Sequence, residues 1–127
     1  MSAAPAPLPG NDRLLRWAVV LVAAHSVGVG LVLLVAGDWG TALGGWGTVT
    51  PAFFVRQFGV FHFAIAAAYL IEYVRYRGVS ILLTAKLIAV VSLSATLFID
   101  GGPWAVGAAA LGDGLMGLVV WRLAQRR

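Results

Sequence analysis

Three titratable side chains in this sequence stand where water is not expected. His25, His62 and Asp113 each lie near the middle of a long apolar run. An ionisable group at the centre of a bilayer costs about 2.5–3.5 kcal/mol on insertion scales, so it persists where it pairs, lines a cavity or does work. If the three runs are membrane spans, a rise of about 1.5 Å per residue puts the three groups at similar depth. Such a cluster can relay protons, or it can anchor the polar end of a quinone or another lipid-like ligand. Two histidines at one depth on neighbouring antiparallel helices can also supply both axial imidazoles of a haem b, so His25 and His62 are candidate metal ligands. A purely structural reading stands beside these, in which each histidine bonds Asp113, a serine hydroxyl or a carbonyl and fixes the helix packing.

Two further constellations carry charge. Glu72 falls about one turn before the end of the second apolar run, and Lys86 about two turns into the third. The short turn Arg77-Gly78 joins those runs, so an ion pair Glu72–Lys86 is expected, with a gate or proton entry as its functional form. Arg56 and Gln57 open the second run. Arg56 can snorkel to headgroups or pair with Asp38 or Asp100. Its guanidinium fork also suits an anionic headgroup or a quinone carbonyl. His25, His62, Asp113, Gln57 and Arg56 together make the candidate ligand or proton site.

The elements that position these residues follow from composition. The chain has 127 residues, 61% hydrophobic and 11% charged, with mean hydropathy +0.91. A soluble domain carries about 25% charged residues, so lipid must cover part of this surface. Spans are expected at about 14–36, 52–76, 79–99 and 104–123, each near the roughly 20 residues a bilayer requires. The first is too long for the apolar core of a signal peptide and reads as a retained span. Residues 1–12, rich in Pro and Ala, read as a mobile tail. Residues 37–51, with their Gly, two Trp and Pro, read as a loop at the membrane surface that could include a short interfacial turn. Asp100-Gly-Gly-Pro103 is a tight turn, with Pro103 placed to start the last helix. On the second span, Gly59, His62, Ala66, Tyr69 and Tyr73 form one stripe, and Gln57, Phe61, Ala64, Ala68 and Glu72 form its neighbour. The expected fold is an all-α, up-down-up-down four-helix membrane bundle.

Charge sets an expected orientation. Arg13, Arg16, Arg75, Arg77, Arg122, Arg126 and Arg127 share one side of such a bundle, and Asp38 and Asp100 fall on the other. The positive-inside rule then places both termini in the cytoplasm. All five Trp fall at the expected interfaces. The net charge of +4 is concentrated at helix ends and forms no stripe for nucleic acid. With no cysteine, thiol catalysis and iron–sulfur ligation are excluded. The sequence has no phosphate loop, no H-E-x-x-H and no nucleophile elbow, and its loops are too short for a soluble catalytic domain, so a stand-alone enzyme is not expected.

Four short-looped spans, the Arg56-Gln57-Phe58-Gly59 opening and Gly112-Asp113-Gly114 in the last span resemble small bacterial four-helix membrane proteins of the DoxX-like kind. That resemblance implies an accessory subunit of a membrane oxidoreductase or electron-transfer system. Its partners would be membrane lipids and a larger membrane complex or further copies of itself. Two other readings remain open. One is a structural or assembly protein without chemistry. The other is a proton-coupled transporter, for which four helices would have to oligomerise.

Overall fold

The computed structural model describes residues 10–127. Five helices follow one another: α1 (Gly10–Val35), α2 (Gly37–Leu43), α3 (Ala52–Tyr76), α4 (Ser80–Asp100) and α5 (Trp104–Gln125). No strand occurs among the described residues. All but α2 are long and apolar enough to cross a membrane, which marks the chain as a membrane protein. Their 21 to 26 residues reach about 30–40 Å, against a hydrocarbon core of about 30 Å. Residues 1–9 of the expected tail lie outside the described residues, and residues 10–12 form the first turn of α1.

The expected loop at 37–51 opens with the short helix α2. Two glycines let it lie close to its neighbours. A Cβ on Gly37 would stand 2.9 Å from Val55 Cγ1, and one on Gly40 would stand 2.8 Å from Val32 Cγ1. The far end of α2 is tied down by the Trp104 indole N–H, which donates to the Leu43 carbonyl at 3.0 Å.

The long helices pack as two pairs. The most extensive contacts join α1 to α3 and α4 to α5, α1 also packs on α5, and α3 and α4 meet only lightly. In the α1–α3 pair, Gly30 faces Gly59 so closely that a Cβ on either would lie 2.8 Å from the other's carbonyl oxygen. Two glycines at the crossing therefore bring backbone onto backbone. Below it, Leu15, Val19, Val22, Tyr69, Tyr73, Leu82 and Val120 form the buried core. Of the two stripes read from α3, the first holds: Gly59, Ala66, Tyr69 and Tyr73 are buried and His62 is half-buried. In the second only Glu72 is buried, while Phe61 and Ala64 are exposed.

The outer surface is apolar. Val74, Phe98 and Ile99 are 73%, 86% and 80% exposed, which water would not tolerate over so wide a patch and lipid accepts. All five Trp are exposed, as amphipathic rings at a membrane interface are.

One end of the bundle is tied together by polar contacts. Asp12 and Arg127 form an ion pair at 3.3 Å. Arg127 also donates to the Arg77 carbonyl, and Asn11 donates to the Arg126 carbonyl at 3.0 Å. The guanidinium groups of Arg77 and Arg127 both lie over the Tyr73 ring. The start of α1, the turn between α3 and α4 and the end of α5 therefore meet at one arginine-rich end.

Candidate functional site

Among the described residues, the interior carries one close charge pair. Lys86 Nζ lies 2.5 Å from Asp113 Oδ1, with the two side chains only 9% and 17% exposed. The pair joins α4 to α5. A Cβ on Gly117 would stand 3.3 Å from Lys86 Cβ, so this glycine makes room for the lysine stem. The ammonium then reaches one helical turn along α5 to Asp113. This differs from the expected Glu72–Lys86 pair: Lys86 extends into the span toward Asp113 and does not turn back toward the arginine-rich end.

Glu72 has another task. Its carboxylate accepts hydrogen bonds from the backbone N–H of Ser80 at 3.0 Å and of Ile81 at 2.8 Å, and from the Ser80 hydroxyl. It thereby satisfies orphan amides in the first turn of α4 and places negative charge at the positive end of that helix. Gly78 makes the fit possible, since a Cβ there would stand 2.7 Å from Glu72 Oε1. Three donors from one backbone segment occupy this carboxylate. The local bonds win over Lys86, whose helix packs mainly on α5 and only lightly on α3.

Around the Lys86–Asp113 pair stand further titratable groups. His25, Lys86 and Asp113 all lie within electrostatic reach of His62, and Asp113 lies within that of Tyr69. Tyr69 is buried on α3. His62 is half-buried, with its ring edge-on to Phe58 at 5.4 Å between centroids. His25 lies on an exposed face of α1, so it belongs to the rim of the cluster. Of the expected cluster, only Asp113 makes a direct polar side-chain contact, and that is with Lys86; no hydrogen bond joins His25 or His62 to it among the described residues. Tyr69 was visible on the first stripe of α3, where Tyr73 carries the same hydroxyl and nothing local set the two apart.

A haem held by His25 and His62 would have to be reached from both α1 and α3. Those helices touch at Gly30 and Gly59, and His62 Cβ would lie 3.3 Å from a Cβ on Gly30. Among the described residues, no group of three or more His, Cys, Asp or Glu gathers to hold a metal ion.

Arg56 and Gln57 are separated from this cluster. They lie six and five residues before His62 on α3, about 8–9 Å toward the α2 end. Arg56 is exposed and lines a cavity of about 300 Å³ between α1, α2 and α3, together with Asp38. Among the described residues it forms no salt bridge, with Asp38, Asp100 or any other group. A second hollow, of about 370 Å³, opens to the surroundings between α3 and α4 and is lined by Ile65, Thr84, Ala85 and Ile88 among others. Ile65 lies between His62 and Tyr69 on α3, and Ala85 adjoins Lys86.

Comparison with protein-family models, with curated proteins and with solved structures yields no match.

Proposed function

We propose that this chain is a small multi-pass protein of a bacterial inner membrane, an accessory subunit of an electron-transfer system that holds the polar head of a quinone or similar amphiphile at its interior cluster. The carrying observation is the Lys86–Asp113 pair inside the spans, with His62 and Tyr69 beside it. Lys86 can donate to a carbonyl oxygen, and Asp113, His62 and Tyr69 can take or give the protons that accompany quinone reduction. The open hollow between α3 and α4, whose lining residues Ile65 and Ala85 neighbour those groups along the helices, offers a place for an apolar tail. The up-down order and cytoplasmic termini are supported by the arginine-rich end, where Asp12, Arg77 and Arg127 meet. The resemblance to DoxX-like proteins points to the same class of partner.

The test is extraction of lipid from protein purified in mild detergent, followed by mass spectrometry. Wild type should retain a quinone, and the doubly apolar variant Lys86→Met/Asp113→Leu should lose it while staying folded. Equal quinone in both, or none in wild type, would overturn the reading.

One observation favours a structural role instead. No buried side-chain nitrogen or oxygen among the described residues lacks a hydrogen-bond partner, so no fully buried polar atom calls for a ligand. On that view Lys86 and Asp113 serve to hold α4 against α5. The same double variant would then keep full partner activity in the membrane.

A further inference from the structure

The cavity at the α2 end holds two opposite charges that do not pair with each other. Asp38 and Arg56 both line it, and both are exposed. Neither takes part in a salt bridge among the described residues, although opposite charges sharing one hollow would gain by meeting. The backbone explains why they are held apart. Asp38 is fixed in the first turn of α2, and α2 is seated by Gly37 against Val55 and by Gly40 against Val32. Arg56 is fixed one turn into α3. Asp38 and Arg56 are the charged residues of a lining otherwise made of apolar side chains and a tryptophan.

The cavity's surroundings place it at a lipid–water boundary. Trp39, which also lines it, is 61% exposed, and Phe53 and Phe54, just before Arg56, are each 63% exposed. Aromatic rings gather in this way at headgroup level. A fixed cation and a fixed anion in one hollow complement a group that carries both signs. A guanidinium fork suits a phosphate, and a carboxylate suits a primary ammonium that can donate hydrogen bonds.

We infer that the cavity between α1, α2 and α3 is a headgroup site for a zwitterionic lipid bearing a phosphate and a primary amine. Arg56 takes the phosphate and Asp38 takes the ammonium. The phosphoethanolamine headgroup has this chemistry. A phosphocholine headgroup carries the same charges, but its quaternary nitrogen offers Asp38 no N–H. A phosphoglycerol headgroup offers Arg56 a phosphate and gives Asp38 no cation. This site is independent of the interior cluster.

The experiment is native mass spectrometry of the protein released from nanodiscs of equal phosphatidylethanolamine, phosphatidylcholine and phosphatidylglycerol. Wild type should retain phosphatidylethanolamine over phosphatidylcholine by roughly threefold, the scale of one hydrogen bond. Asp38→Asn should bring that ratio close to one, and Arg56→Gln should lower retention of all three lipids. Both side chains are exposed, so both variants should keep the wild-type melting curve, which is recorded alongside. No preference in wild type, or a preference unchanged in Asp38→Asn, would overturn the proposal. Equal competition by soluble O-phosphoethanolamine at the same concentration would move the site to a soluble ligand and overturn the lipid assignment.

Discussion

Glu72 and Asp113 are both carboxylates within the helical bundle, and they are held in different ways. Glu72 is occupied by a local backbone segment, the first turn of α4, through two amides and a hydroxyl. Those donors do not titrate. Asp113 is held by an ammonium from another helix, and the side chains near it, His62 and Tyr69, are of ionisable types. The difference teaches that depth in a span and residue type do not by themselves mark a reactive site. What surrounds the charge does, and the two carboxylates should respond differently to substitution.

The largest effect is expected at Asp113. Asp113→Ala leaves Lys86 buried without its partner, which should cost about 3–5 kcal/mol of unfolding free energy. Replacing both partners, as Lys86→Met/Asp113→Leu, should recover most of that loss, because no charge is then stranded. Unfolding of the purified protein in mixed micelles measures both. A single variant no worse than the double would show that the pair does not hold α4 to α5. Asp113→Asn should resemble Asp113→Ala, since the lysine charge remains.

Glu72 should behave otherwise. Glu72→Ala removes three bonds to a carboxylate and should cost about 2–3 kcal/mol, while leaving no opposite charge stranded. Glu72→Gln keeps an acceptor oxygen for the Ser80 and Ile81 amides and should recover more than half of the loss. Equal losses in Ala and Gln variants would mean that the negative charge, and not the acceptor, is what α4 requires.

The contrast also explains what could be read in the sequence. The four long helices were legible because each is a long apolar run, although α1 begins at Gly10, four residues before the expected start. The span at 52–76 coincides with α3, and that at 104–123 falls two residues short of α5. Helix α2 was read as part of a loop because Gly37, Asp38, Gly40 and Thr41 are weak helix formers. It is held by packing against Val32 and Val55 and by the Trp104 bond, which no local pattern reveals. Lys86 was assigned to Glu72 because their helices share a short turn. The pairing of α4 with α5 carried the missing information. A hairpin folded about Asp100–Pro103 sets Lys86 opposite Gly117, and the lysine stem then covers the one turn to Asp113. Gly117 was therefore the available signal, a small residue opposite a long charged one.

Gly78 offers a smaller test of the Glu72 side of the comparison. Gly78→Ala would bring a Cβ to 2.7 Å from Glu72 Oε1, forcing the carboxylate off its amides at about 1–2 kcal/mol, in the range of overpacking. In a Glu72→Ala background the same change should cost almost nothing, because the crowded group is gone. Additive losses would show that Gly78 matters for the backbone of the turn and not for the seat of Glu72.

The smallest effect belongs to Arg77, which ends α3 with φ 55° and ψ 19°. A side chain in this left-handed conformation costs about 1 kcal/mol, and glycine escapes that cost. Arg77 recovers part of it by lying over the Tyr73 ring at 5.5 Å, worth about 0.5–1 kcal/mol at an exposed site. Arg77→Gly removes both terms and should leave stability nearly unchanged. Arg77→Ala loses the ring contact and keeps the strain, so it should be less stable than Arg77→Gly by about 1 kcal/mol. The order glycine above alanine, measured by the same unfolding assay, would show that the turn's left-handed corner is what delivers the Ser80 and Ile81 amides to Glu72. The reverse order would mean that the turn relaxes in the membrane, and the fixed capping that separates Glu72 from Asp113 would fail with it.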